Sequence, residues 1–487
     1  MPSDTSINAA LAIRALAFVG DLSMGQPTDH SLRVAWLASR IAECLGASAA
    51  IRVEVQQAAL LRWSGCTANA PEFSGLIDDD VSGRAMILAG DSADIRFQFI
   101  DSQIRSALQT LAQIHCEVSG EVAGMLSLAG SVERTLRLIF EKFDGSGPNR
   151  LSGDEVPVDV LILGLASDFE VISRIHGLTR AMSFVRSRGE EAYPIRLIRF
   201  VIDHGDDWLQ TLNRDDEWKS DLAALSEGGM TRAPLELVAD VIDLKLPWMR
   251  GYSRRVSETA RQVSALMGMT SSGQALCSRA ALIHCMGRAA VPNSVWNIPG
   301  TLPVSAREQI RLTPYWVSRA ASQIESLAGE ATVASYVSER MDGSGSFRGC
   351  KGDRIPIEGQ VIAASAAWVA LNSARPWRAA LPVETAKTTL LKEAAEGRFN
   401  LEVANILCGS SIAAQRPVRA AASVLSEREV QVLQAISLGQ TNKEVARSLE
   451  ISPSTVRTHV ESVFRKLGCT TRAAATLKAS ALGLLNY

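Results

Sequence analysis

The stretch VLSEREVQVLQAISLGQTNKEVARSLEISPSTVRTHVESVFRKL, Val424 to Leu467, contains three helix starts in close succession. Ser426-Glu-Arg-Glu429 is a capping box, in which a hydroxyl and a carboxylate satisfy backbone N–H groups that the first turn leaves unpaired. Thr441-Asn-Lys-Glu444 repeats it after Gly439, a residue suited to closing the preceding helix. Ser452-Pro453 places a capping hydroxyl before a proline at the first helical position, where the missing N–H costs nothing. The third helix carries Val456, Val460, Val463 and Leu467 on one face. Arg457, Thr458, Glu461, Arg465 and Lys466 lie on the other. Glu450 and Ile451 leave only a tight turn between the second and third helices.

An apolar-backed helix with a polar, basic outer face, entered by a tight turn, suits insertion into a DNA major groove. Leu425-Ser-Glu-Arg-Glu429, Thr441-Asn-Lys-Glu-Val-Ala446, Ile451-Ser452, Thr455-Val-Arg-Thr-His-Val460 and Lys466-Leu467 make the segment resemble the LuxR/FixJ-type helix-turn-helix family. The resemblance covers about one eighth of the chain. It implies a four-helix module with Ser452 to Leu467 as recognition helix and a dimerising fourth helix near Thr471 to Leu482. It places Arg457 at a base or phosphate, Thr458 toward a base, and Thr455 and Lys466 at phosphates. Lys443, His459 and Arg465 complete the expected DNA-facing set. Glu461 departs from the basic residue of some relatives; its carboxylate would accept from cytosine N4 or weaken binding. Val424 to Tyr487 holds 8 Lys and Arg against 5 Asp and Glu. This modest excess of +3 points to binding of double-stranded DNA as a homodimer, with affinity falling as salt rises.

The whole chain offers no general attraction to nucleic acid, because its 487 residues carry a net charge of −2. That length accommodates about three domains. A hydrophobic content of 47% with only 5% aromatics favours helices around a sizeable core. No apolar run is long enough to span a membrane. The start, Met1-Pro-Ser-Asp4, lacks the basic-then-apolar order of a signal peptide. Eight cysteines without a C-x-x-C pair read as free thiols in a cytoplasmic protein.

Upstream lies a repeat. Asp144-Gly-Ser-Gly147 recurs as Asp342-Gly-Ser-Gly345, and Gly153-Asp-Glu-Val-Pro157 as Gly352-Asp-Arg-Ile-Pro356. Ser31-Leu-Arg-Val34 parallels Ser253-Arg-Arg-Val256, and Ala58-Ala-Leu-Leu61 parallels Ala280-Ala-Leu-Ile283. The offset drops from 222 to 198, so the first copy holds about 24 extra residues. Gly65 to Arg96 is their natural place, and Asn69-Ala-Pro-Glu72 with Asp78-Asp-Asp80 there reads as loop. Both copies show helical stripes, such as Val34, Leu37, Ile41, Leu45 and Val256, Ala260, Val263, Met267. The duplication makes a pseudo-dimer within one chain.

The order of motifs resembles the HD-GYP family of metal-dependent cyclic di-GMP phosphodiesterases, over roughly 250–410 and more faintly over 28–205. His284-Cys-Met-Gly-Arg288, Val291-Pro-Asn-Ser294, Asn297-Ile-Pro-Gly300, Glu308-Gln-Ile-Arg-Leu-Thr-Pro314, Glu339-Arg-Met-Asp-Gly-Ser-Gly345, Arg375-Pro-Trp-Arg378 and Gly397-Arg-Phe-Asn400 carry it. The family holds its metals with several His and Asp. In the second copy the corresponding positions are Tyr252, His284-Cys285, Thr313, Val337-Ser338 and Ala366, and Arg288 replaces the motif Lys. In the first copy His30 and His115 remain, but Arg62-Trp63, Ile139-Phe140 and Ser167 stand at the other positions. The expectation is two pseudoenzymes with no metal, no cofactor and no catalytic residue.

Each altered pocket is a concave site between helices, made more apolar by its replacements. His30, Trp63, His115, Phe140, Tyr252, His284, Val337 and Trp368 are the candidate ligand-pocket residues for a small-molecule effector. An anionic ligand stays open because Arg348, Lys351, Arg375 and Arg378 lie near the second copy's motifs. Two other readings remain: the duplicated part is only a dimerisation or docking scaffold, or it is a live phosphodiesterase. The expected architecture is all-α. It runs as a degenerate HD-GYP-like copy over 1–205, a connecting helical segment over 206–246, a second copy over 247–408, a linker over 409–423 and the helix-turn-helix module over 424–487.

Overall fold

The computed structural model describes residues 5–89, 102–189, 191–225, 231–409 and 424–485. The described residues are almost entirely helical. Strand is confined to β1 (Ser6–Asn8) and β2 (Arg232–Pro234). Two compact units emerge: one covers Asn8–Ala233, the other Pro234–Tyr487 together with the chain start up to Ile7. Most of the expected linker, 410–423, lies outside the described residues.

In the first unit the helices are α1 (Ala9–Ser23), α2 (His30–Cys44), α3 (Ala49–Leu61), α4 (Ala70–Ile77), α5 (Asp80–Leu88), α6 (Ser102–Met125), α7 (Gly130–Arg137), α8 (Val158–His176), α9 (Leu178–Ser187) and α10 (Ile195–Arg214). Asn8 caps α1 by accepting from Ala10 N at 2.8 Å, and α1 is buried along nearly its whole length. Helix α2 packs between α3 and α8, burying Val34, Leu37 and Ile41 of its apolar stripe. The extra segment of this copy, read as loop, is helical where described. Pro71 sits in the first turn of α4. Asp79, one of three consecutive aspartates, caps α5 by accepting from Val81 N and Ser82 N. Turn-forming residues here act as helix caps, which a local reading cannot separate from loop. Residues 90–96 of that segment lie outside the described set.

The first unit also extends past the expected end of the first copy. Helix α10 runs unbroken through 205 and buries Leu209 and Leu212. The division falls between Ala233 and Pro234, so the segment 206–246 is shared between the units rather than forming a separate connection.

The second unit contains α11 (Leu235–Asp243), α12 (Tyr252–Leu266), α13 (Ser271–Ile283), α14 (Asn293–Trp296), α15 (Val304–Arg311), α16 (Thr313–Gln323), α17 (Ala328–Ala334), α18 (Ile357–Leu371), α19 (Val383–Ala395) and α20 (Leu401–Gly409). The repeat is visible in matched internal contacts. Asp21 accepts from the N–H and hydroxyl of Ser31, and Asp243 does the same with Ser253. Glu141 accepts from Asn149 N and Leu151 N; Glu339 accepts from Arg348 N and Cys350 N. A side chain at Gly65 would clash with the His115 carbonyl, and one at Gly287 with the Thr313 carbonyl. His115 and Thr313 therefore occupy equivalent places.

The module at the end of the second unit is α21 (Glu427–Ser437), α22 (Asn442–Ser448), α23 (Pro453–Leu467) and α24 (Arg472–Ala481). Both expected capping boxes form. Ser452 accepts from Thr455 N at 3.1 Å, and Thr471 caps α24. Glu450 takes a left-handed conformation, φ 54°, which makes the turn before α23 short. Val456, Val460, Val463 and Leu467 are all buried.

Candidate functional site

Helix α23 turns its polar face outward. Thr455, Arg457, Thr458, Glu461 and Arg465 are exposed, His459 is half-buried, and Lys443 is exposed on α22. Two details modify the expected contacts. Arg457 Nε lies 2.9 Å from Glu461 Oε1, with both side chains largely in solvent. Lys466 Nζ lies 2.7 Å from Glu429 Oε2, so it ties α23 to α21 rather than standing free for a phosphate. Glu429 accepts from Ser462 and Ser426 as well, and these bonds hold its carboxyl down at about 2 despite burial, which acts the other way. The carboxylate thus closes its own capping box and fastens the recognition helix.

In the first copy Trp63, His115 and Phe140 meet in the wall of a cavity of about 210 Å³. The His115 ring packs edge-on to Trp63 at 5.9 Å and tilted against Phe140 at 5.0 Å. His115 Nε2 lies 2.6 Å from the Arg62 carbonyl, which can only accept, so Nε2 carries the proton. Cys66 Sγ lies 3.6 Å from Nδ1. Burial pushes His115 down to about 3, so the imidazole is neutral near pH 7. Met24, Phe73, Leu88 and Leu111 add apolar wall. The polar residues Asn69 and Arg84 also line it, and local signals had marked neither. Arg84 is satisfied from several sides: it donates to the carbonyls of Ser23 and Cys66, to Asn69 Oδ1 at 2.8 Å and to Asp80 Oδ2 at 3.1 Å. Trp63 Nε1 is buried without a hydrogen-bond partner.

His30 does not line this cavity. Its Nδ1 pairs with Glu170 Oε2 at 2.6 Å, and Arg33 and Arg174 bind the same carboxylate. Glu170 lies 140 residues along the chain, beyond any local pattern. Arg62, at the place of the central His-Asp pair, is buried with its guanidinium 4.0 Å from the Trp63 ring centre. Burial lowers it to about 10, which leaves it charged.

In the second copy Tyr252 and His284 stack at 5.6 Å, and the guanidinium groups of Arg288 and Arg375 each lie 5.1 Å from the Tyr252 ring centre. Both donate to Met249 Sδ. Burial pushes Asp243 up to about 8, so the nearby carboxyl is largely protonated at neutral pH. The space between Glu339, Met341, Phe399 and Asn400 is only about 10 Å³, and Tyr252, His284, Val337 and Trp368 do not line it. Val337 and Trp368 are half-buried. Among the described residues, no three His, Cys, Asp or Glu side chains gather as a metal-holding group, and no helix is long and apolar enough to cross a membrane.

Residues 236–403 match the HD domain model, and residues 423–479 match that of the bacterial regulatory proteins, luxR family. A 3'3'-cGAMP-specific phosphodiesterase 3 of Vibrio cholerae is 24% identical over 406 residues, 75% of this chain and 86% of the relative. The probable transcriptional regulatory protein NarL of Mycobacterium tuberculosis is 46% identical over 65 residues, 13% of this chain and 30% of that protein. The crystal structure of a cyclic GMP-AMP-specific phosphodiesterase of V. cholerae aligns with a TM-score of 0.60 at 20% identity, covering 83% of this chain and 97% of that one, a likeness of fold. The chain is therefore a helical protein that joins an HD domain, related to the HD-GYP phosphodiesterases, to a DNA-binding domain of the luxR family of bacterial regulators.

Proposed function

We propose that this chain is a cytoplasmic, homodimeric transcription regulator whose HD-type copies are catalytically silent, and that the first copy senses a small molecule. The observation that carries this reading is Arg62. A buried guanidinium at the central ligand position repels a divalent cation, and His115 beside it spends both ring nitrogens on the Arg62 carbonyl and Cys66. In the second copy Arg288 and Arg375 add positive charge where a metal would sit, while Asp243 is pushed toward its neutral form. These residues do not fit a di-metal centre, which needs several unprotonated His and carboxylate ligands. The cavity of the first copy supports sensing there.

The relatives named as phosphodiesterases set the test. After incubation with manganese or iron and desalting, the full chain should hold well under one metal per chain and leave cyclic di-GMP and 3'3'-cGAMP intact. Stoichiometric metal with hydrolysis of either would overturn the silent-enzyme reading.

A further inference from the structure

The helix-turn-helix module forms one compact unit with the second HD-type copy. Helix α24 shows where the two meet. Its buried residues are Ala474, Ala475, Thr476, Leu477, Ala479 and Ser480. At about 100° per residue these point in all directions around the helix axis, whereas a helix at a surface buries a single stripe. The neighbours account for it: α24 packs on α21 and α23 of its own module and on α11 of the second copy.

A second contact lies beside the first. Arg250 Nη1 donates to Ser437 Oγ, at the end of α21, at 2.6 Å. Two residues on, Gly439 has φ 85°, and a side chain there would come within 3.0 Å of Pro247 Cβ. Glycine meets both demands, the left-handed turn and the close approach. The turn Pro247–Met249 also has another side. Met249 is buried, and its Sδ accepts from Arg288 and Arg375. Trp248 lies 4.7 Å from the Arg375 guanidinium and donates to Asn297 Oδ1 at 3.0 Å. Of four consecutive residues, the outer pair therefore meets the DNA-binding module and the inner pair meets the altered catalytic positions.

The polar face of α23 stays exposed in this arrangement. The contact takes up α24 instead and fixes how the module is held. Reading two half-sites needs two modules at the spacing the duplex sets, and a clamped module cannot adjust to it. One module alone, with its excess of +3 over Val424 to Tyr487, has few charges to hold phosphates.

We propose that these contacts form an intramolecular latch: the second HD-type copy holds the DNA-binding module and restrains its binding, and Pro247 to Arg250 joins the latch to the altered catalytic positions. The latch rests on DNA binding by the luxR-type domain and does not depend on sensing by the first copy.

Pro247→Cys with Gly439→Cys places two thiols where a disulfide closes the latch, with Pro247→Cys alone as the control for the native thiols. The probe is a labelled duplex selected by the full chain from a random-sequence library, read by fluorescence anisotropy. The oxidised double variant should bind about ten-fold more weakly than the same protein reduced; the comparison of redox states cancels the strain of a side chain at Gly439. Arg250→Ala lies outside the module and adds no charge to it. It should tighten binding by about five-fold and speed hydrogen exchange in α11 and α24 together. Met249→Leu removes the shared sulfur and should change DNA affinity by at least about two-fold with the module untouched. Equal affinity in the two redox states, or tighter binding when oxidised, overturns the latch. If the double variant does not fold, the Arg250→Ala chain decides: unchanged exchange in α24 overturns it. Unchanged affinity of Met249→Leu overturns the link to the altered positions.

Discussion

Glu461 shows how one side chain qualifies a motif. Its carboxylate holds Arg457 across one helical turn, in a pair that solvent largely screens. Such i, i+4 pairs are weak, so DNA can displace Glu461, but the displaced carboxylate then faces phosphates. Glu461→Gln should tighten binding to the cognate site by about two- to five-fold, read by fluorescence anisotropy. Arg457→Ala should weaken specific binding by roughly ten-fold or more while leaving the melting temperature of the full chain unchanged. If Glu461→Gln weakens binding to one sequence only, the carboxylate reads a base instead. At this scale the sequence was legible where partners are close. Ser426, Thr441 and Ser452 cap the helices their spacing indicates. The pairing of Lys466 with Glu429 was not visible because the two lie 37 residues apart. His30 was drawn into the pocket because Glu170, which holds it, is remote in sequence.

Among the elements, α21 and α23 depend on that same Glu429. Its replacement by Ala removes the carboxylate half of the capping box, leaving Ser426 N–H, Lys466 and Ser462 without that acceptor, a loss of roughly 2–3 kcal/mol. Hydrogen exchange in the full chain should show faster exchange across α21 to α23 and little change in α2 or α8. The carboxyl is held at about 2 in the folded module, against an ordinary 4.5. Its contribution is therefore complete above about pH 4.5 and disappears as pH falls toward 2. The wild-type module should loosen over that interval, and the Glu429→Ala module should lack this part of the acid response. Helices α4 and α5 were the elements the sequence concealed. A run of three aspartates resembles a turn until Asp79 is seen bonding the first N–H groups of α5. Trp63, His115 and Phe140, whose places follow from family motifs, line one cavity. Their enclosure needed Phe73 and Arg84, whose roles depend on how the insert folds back.

For the whole molecule, the duplicated part keeps a common frame. Asp21 with Asp243, Glu141 with Glu339 and Gly65 with Gly287 keep the same internal contacts. Around Trp63, His115 and Phe140 the first copy keeps a space of about 210 Å³, whereas in the second copy Tyr252 and His284 stack under the guanidinium groups of Arg288 and Arg375. The frame was readable from matched motifs, whereas the volumes depend on packing that a motif does not encode. The Arg457–Glu461 pair has a further consequence in counterion terms. Each phosphate that a protein neutralises releases condensed cations, and the logarithm of affinity falls with the logarithm of salt by about 0.9 per contact. An arginine that shares its charge with a carboxylate one turn away contributes less than a full contact. Freeing it in both modules of a dimer should steepen the slope by up to about 1.8, so the Glu461→Gln chain should bind more tightly at low salt and lose that advantage as potassium rises.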